Sequence, residues 1–241
     1  MENAAASILK RAVEMDNKKQ YTMALVLYQE GVQILINSIK ETKDESKQKH
    51  FAARAKEYLE RAEKVKELIR QRKEAGDYRE LIKIENNAIG YGYTTVFGRF
   101  LDASVTSIHI EDPYIRLFHQ CQNLVRFCEL AVQKCQSLSK VSLITSRDTD
   151  DKAGQLSRLG ELQKSFQTRL VTFNFSFSET LHDRQIKLSN GWIIKIGRGL
   201  DYFKAPEGKF ILGSIDLELR PCHETTVDIF HENQLIKNNE K

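Results

Sequence analysis

Residues 182–203 read HDRQIKLSNGWIIKIGRGLDYF, the densest mixture of ionisable and backbone-permissive residues in the chain. Gln185–Leu188 and Trp192–Ile196 are short alternating runs on either side of Asn190-Gly191. Asn-Gly between two such runs is a strong hairpin signal. His182 stands where the preceding apolar stretch ends, and Arg184 follows two residues later on the same side of an extended strand. A histidine and a cation facing one way can hold a phosphate. Gly197-Arg198-Gly199 adds backbone freedom and a second guanidinium, so it reads either as an anion cradle or as a plain β-turn with a solvated arginine.

Working upstream, strands alternate with helices. Thr94–Leu101 is expected as a short helix and Val105–Glu111 as a strand ended by Asp112-Pro113. Tyr114–Gln136 is expected as a long helix with Phe118, Cys121, Val125, Cys128, Val132 and Cys135 inward. Val141–Thr145 is a second strand. Asp151–Gln167 is a second helix with Leu156, Leu159, Leu162 and Phe166 on its inner side, and Leu170–Phe177 alternates as a third strand. This order predicts an α/β unit with a mixed sheet flanked by helices.

The first 75 residues differ in kind. Ala5, Ile8, Leu9, Ala12 and Val13 form one helical stripe, and Tyr21 to Ile39 keeps a second. Phe51, Ala55, Tyr58, Ala62, Val65 and Ile69 advance by fours and threes as a seam. Short connections make neighbouring helices antiparallel, so a three-helix bundle is expected over 1–75. Residues 76–89 are expected as linker and 90–241 as the α/β unit. Leu59 lies off the seam, bordered by Glu60 and Glu63, with Lys66 beyond. It either packs against another helix of the bundle or offers an apolar strip to a partner helix carrying leucines and basic residues.

The net charge of +4 is mildly basic and does not point to nucleic acid. No apolar run reaches the roughly 18–20 residues of a membrane span. The N-terminus shows no secretory signal, and a cytosolic protein is expected. Cys121, Cys128 and Cys135 recur every seven residues, about 10 Å apart along a helix, too far to share a metal. No metal or cofactor is expected.

Ala12-Val13, Asp16, Tyr21, Ala24-Leu25, Tyr28, Gly31 and above all Tyr58-Leu59-Glu60-Arg61-Ala62-Glu63-Lys64 resemble a microtubule-interacting and trafficking (MIT) domain. The resemblance implies binding of C-terminal helical tails of ESCRT-III subunits. Leu59 would supply the apolar contact and Glu63 would pair with a basic tail residue, with Ala55, Ala62 and Lys66 around them. Residues 110–115, the strand near Thr145 and the His182-Asp183-Arg184 segment resemble one phospholipase D-type half-domain. In that superfamily's His-x-Lys-x4-Asp motif, the lysine position here is Arg184 and the aspartate position is Ser189. A single copy is present. Asp201 or His223 stands as a substitute acid or base.

The combination is similar to the MIT-domain proteins that act with ESCRT-III in cytokinetic abscission. It implies a non-enzymatic, homodimeric adaptor whose C-terminal unit binds acidic phospholipid. The implied location is cytoplasmic and peripheral to membranes, at the midbody and late endosome. Arg184, Lys187, Lys195, Arg198, Lys204 and Lys209 are the candidate membrane contacts. The competing expectation is a phosphodiesterase or phospholipase with His182 as nucleophile.

Overall fold

A computed structural model describes residues 2–235, which form two compact units. One runs to Glu80 and includes a short C-terminal segment from Asn233; the other is Leu81–Glu232. The C-terminal limit expected at residue 241 lies outside the described residues.

The first unit holds α1 (Glu2–Asn17), α2 (Tyr21–Glu41) and α3 (Glu45–Glu74). The polar break at 42–44 works as a helix start. Asp44 accepts hydrogen bonds from the backbone N–H groups of Ser46 and Lys47 at 2.9 and 3.2 Å, satisfying two of the first-turn donors. The three stripes meet in one core of Leu9, Ala12, Ala24, Tyr28, Val32, Leu35, Phe51, Ala55, Ala62 and Val65. Gly31 sets the α1–α2 approach. A Cβ there would lie 2.6 Å from two atoms of the Leu9 side chain, so any larger residue would push the helices apart.

The second unit's sheet has seven strands in the order β1-β7-β6-β5-β2-β3-β4. They are β1 (Arg79–Ile84), β2 (Ser107–Glu111), β3 (Lys140–Thr145), β4 (Thr172–Phe177), β5 (Gln185–Leu188), β6 (Trp192–Ile196) and β7 (Thr225–His231). β2, β3 and β4 are parallel neighbours, and β5, β6 and β7 continue from β2 antiparallel. The helices are α4 (Tyr93–Phe97), α5 (Phe118–Lys134) and α6 (Lys152–Gln167). Phe166 of α6 stacks on Phe173 of β4 with ring centroids 5.4 Å apart, and Phe97 of α4 meets Phe127 of α5 edge-on at 5.5 Å.

Three expectations are corrected. The stretch 76–89, expected as linker with a strand start or a helix extension at 78–84, carries a strand, β1, with Glu80, Ile82 and Ile84 buried; a charged residue on the inner face and Leu81 on the outer one blur its period of two. The α5 inner face is Cys121, Leu124, Phe127, Cys128 and Ala131, rotated from the expected one, and Phe118 is 62% exposed. Phe127 turns toward the aromatic cluster of Tyr93 and Phe97, while Val125 and Val132 are left half-buried beside Leu162 of α6. On α6, Leu159 and Phe166 are buried and Gln155 takes the place expected for Leu156. Its amide donates to the carbonyls of Ile115 and Ser146, both at 2.9 Å, which satisfies a buried polar group.

Candidate functional sites

Two surfaces carry the candidate residues, one in each unit. In the bundle, helix geometry divides α3 into a seam and two flanks. Arg54, Tyr58 and Arg61 occupy the flank facing α1. Arg61 holds Asp16 through two hydrogen bonds of 2.7 Å, and the Tyr28 hydroxyl donates to the same carboxylate at 3.0 Å. Burial and then Asp16 push the Tyr28 phenol up to about 12. Farther along that flank, a concavity of about 580 Å³ between α1 and α3 is lined by Leu9, Val13, Phe51 and Tyr58.

Leu59 and Glu63 lie on the other flank, about 100° per residue around the helix from Tyr58 and Ala62. Leu59 is 45% exposed, so it does not bury itself in the bundle. Glu63 is exposed and 3.9 Å from Lys66. Ala55 and Ala62 are placed differently from the expected groove contacts. Both are buried in the bundle's own core, where small side chains admit close helix approach.

In the α/β unit the hairpin forms where expected, with Gly191 at φ 87 in its turn. Its register pairs Gln185 with Lys195 and Lys187 with Ile193, so Lys187 and Lys195 share one face of the sheet. Lys187 is not a free charge: its Nζ is 3.0 Å from Glu111. Lys195 is exposed on the outer face, in register with Asp228 of β7. Arg184 covers the Tyr114 ring at 3.9 Å and donates to the Gly197 carbonyl at 2.9 Å. Ser189 accepts hydrogen bonds from the backbone N–H groups of Thr106 and Ser107 at 2.8 and 3.1 Å, securing the start of β2.

The Gly197-Arg198-Gly199 turn does not cradle an anion with its glycine N–H groups, which donate to the carbonyls of Thr226 and Ile196; it packs against an internal carboxylate held by neighbouring donors. Buried Asp112 accepts from the Leu200 and Tyr114 N–H groups at 3.1 and 3.0 Å. Burial pushes its carboxyl up, against the pull of those two donors. Gly199 has φ 63, and a Cβ on it would fall 1.9 Å from the Asp112 carboxylate. The glycine is required for that approach.

The cationic residues instead converge on a cavity of about 440 Å³. Arg126 of α5, Arg198 and Lys204 from the segment after β6, and Arg220 and His223 before β7 line it, with His119 and Asp201. Asp201 is held by Asn123 at 2.9 Å, Gln120 at 3.2 Å and His119 Nε2 at 3.2 Å. Four permanent cations therefore face one carboxylate. The crowding adds to the effect of burial on two of these groups. Burial and then Arg198 and Lys204 lower His223 from its usual 6.5, and burial and then Arg126 lower Arg220. An anion in the cavity would relieve this repulsion.

Of the candidates named from sequence, Arg198, Asp201, Lys204 and His223 meet here. His182 lies exposed in the loop before β5 and does not line the cavity, and Lys209 is on an exposed loop. His119, Arg126 and Arg220 escaped the sequence reading; they lie in a helix and a loop whose approach only the fold creates. Among the described residues no cluster of three or more His, Cys, Asp or Glu could hold a metal, and no helix is long and apolar enough to cross a membrane.

Residues 2–67 match the model of the MIT (microtubule interacting and transport) domain. Residues 90–231 match that of the phospholipase D-like domain at the C-terminus of MIT. The chain is 46% identical over 235 residues to MIT domain-containing protein 1 of Mus musculus, covering 97% of this chain and 94% of the relative.

Proposed function

Because the chain belongs to the family of MIT-domain proteins with a phospholipase D-like C-terminal domain, we propose that it is a two-ended adaptor. The helical bundle takes C-terminal tails of ESCRT-III subunits, and the α/β unit attaches to acidic phospholipid. The observation that carries the reading is the exposed Leu59–Glu63 flank on an otherwise well-packed MIT bundle. A tail helix presenting leucines and basic residues fits an apolar side chain rimmed by glutamates. The grip is modest, since a short helix must order as it binds.

At the other end, the cavity around Arg126, Arg198, Lys204 and Arg220 offers excess positive charge to a lipid phosphate. Binding rather than turnover is favoured by the placement of His182 outside this cavity and by the backbone-bonding role of Ser189. Pairing of two chains through the C-terminal domain would double both attachments and raise avidity. The process this serves is membrane abscission at the end of cytokinesis, at the midbody, with late endosomes as a further location.

The test is Leu59→Asp in the full chain. It is expected to abolish binding of an ESCRT-III tail peptide while vesicle binding and the circular dichroism spectrum stay unchanged. Wild-type tail affinity in this folded variant removes the groove assignment.

A further inference from the structure

Between the cationic cavity and β7 the chain runs Lys209-Phe210-Ile211-Leu212-Gly213-Ser214-Ile215, and its apolar side chains face water. Phe210 is 102% exposed, Leu212 89% and Ile215 84%. Single exposed apolar residues are ordinary; three nearly bare ones within six positions, with half-exposed Ile211 between them, are not. The base of this loop is firmly held. Buried Arg220 donates from Nε to the Gly213 carbonyl at 2.6 Å and from its other arm to the Ser214 carbonyl. Gly213 is itself buried at φ 82, pressed against the Leu219 carbonyl, where a Cβ would come within 2.8 Å. Ser214 N–H closes a turn on Ile211 O at 3.1 Å. The fold thus fixes the root and presents the tip.

We infer that residues 209–215 form an apolar wedge that inserts into the interfacial layer of an anionic bilayer while the adjoining cavity holds a lipid phosphate. Two observations select a bilayer over a protein partner. The tip is convex, with side chains standing almost fully clear of the surface, which suits a fluid acyl layer rather than a preformed pocket. It also shares its root with the charged site: Ser214, Pro206 and Ala205 line the cavity together with Arg198 and Lys204. Arg220 links the two directly, since it lines the cavity and holds the loop. Lys209 is the one charged residue of 209–215, so most of the attraction to anionic lipid comes from the cavity and the apolar tip adds depth. Charge alone reaches only the headgroup surface; side chains that enter it add a contribution that salt does not screen.

The inference rests on the membrane reading above, and the experiment separates the two. Phe210→Trp in the full chain places a reporter at the tip, against a constant background from buried Trp192. With phosphatidylserine–phosphatidylcholine vesicles, its emission is expected to shift blue and to be quenched by brominated acyl chains. Soluble glycerophosphoserine should do neither. The triple variant Phe210→Ser, Leu212→Ser, Ile215→Ser changes only exposed positions and should weaken vesicle binding by roughly tenfold or more.

If wild type binds the vesicles but the reporter is not quenched and the triple variant binds equally well, insertion is wrong and surface electrostatics suffices. If wild type binds no anionic vesicle, the membrane reading falls and the wedge with it. If the triple variant instead lowers the sedimenting mass, the loop is a contact between copies of the chain and the wedge is overturned.

Discussion

Two ionic clusters, one in each unit, have opposite characters. In the helical bundle Asp16, Arg61 and Tyr28 form a closed set, in which one carboxylate is matched by one guanidinium and a phenol. In the α/β unit Arg126, Arg198, Lys204 and Arg220 surround a cavity with Asp201 as the one carboxylate. The first cluster is complete and ties α1 to α3. The second is over-supplied with charge, costs conformational stability through like-charge repulsion, and gains from a ligand. Electrostatic balance, more than residue type, separates a structural network from a binding site.

That contrast can be broken at several points. The largest effect is expected from Gly199→Ala, where positive φ and the Asp112 carboxylate both oppose a Cβ. A loss of roughly 3 kcal/mol or more is expected in denaturant unfolding of the α/β unit. A change within error would mean that the packing against Asp112 is not rigid. Next, Arg61→Ala should destabilise the bundle by about 1.5–3 kcal/mol, because buried Asp16 loses its charged donor. The reversals Arg198→Glu and Lys204→Glu should leave the bundle's unfolding transition at wild type and the α/β unit's at or slightly above it, since repulsion is relieved, yet weaken anionic-vesicle binding. Each added charge near a leaflet is worth about 1 kcal/mol, so a reversal is worth about twice that. Parallel losses of stability and binding would place these residues in the structural class with Arg61.

The smallest effects are in pH. His223 titrates below its unfolded value in the free protein, so the unfolded state binds more protons as pH falls below about 6.5. Stability should therefore decline slightly in that window, and His223→Gln should remove the decline. An anion in the cavity favours the imidazolium, so vesicle binding should strengthen over the same fall in pH. Weakening would count against the cavity as the anion site. Tyr28 has the opposite sense: its folded pKa near 12 lies above the unfolded value of 10. The bundle should lose stability as pH rises through 10–12, and Tyr28→Phe should flatten that loss.

Much of the architecture was readable from local pattern. The hairpin strands fall where Asn190-Gly191 and the flanking alternation place them, because turn chemistry and side-chain period act over a few residues. The α3 seam was readable for the same reason. The rotated face of α5 was not: its three cysteines suggested a stripe, and contacts from Tyr93 and Phe97 selected a neighbouring one.

By itself the sequence determined the number and kind of units, the seams of the helical bundle and the place of the hairpin, all set by interactions of short range along the chain; the hairpin's register, which pairs Lys187 with Ile193, came with the sheet. The sequence also placed a histidine and glycines where a phosphate site was expected. Only the tertiary structure decided what those residues do. It gave the glycine turn to Asp112, left His182 outside the cavity, and assembled the cationic site from α5 and two distant loops. Charge complementarity and burial depend on through-space neighbours, and those exist only once the sheet has brought its loops together.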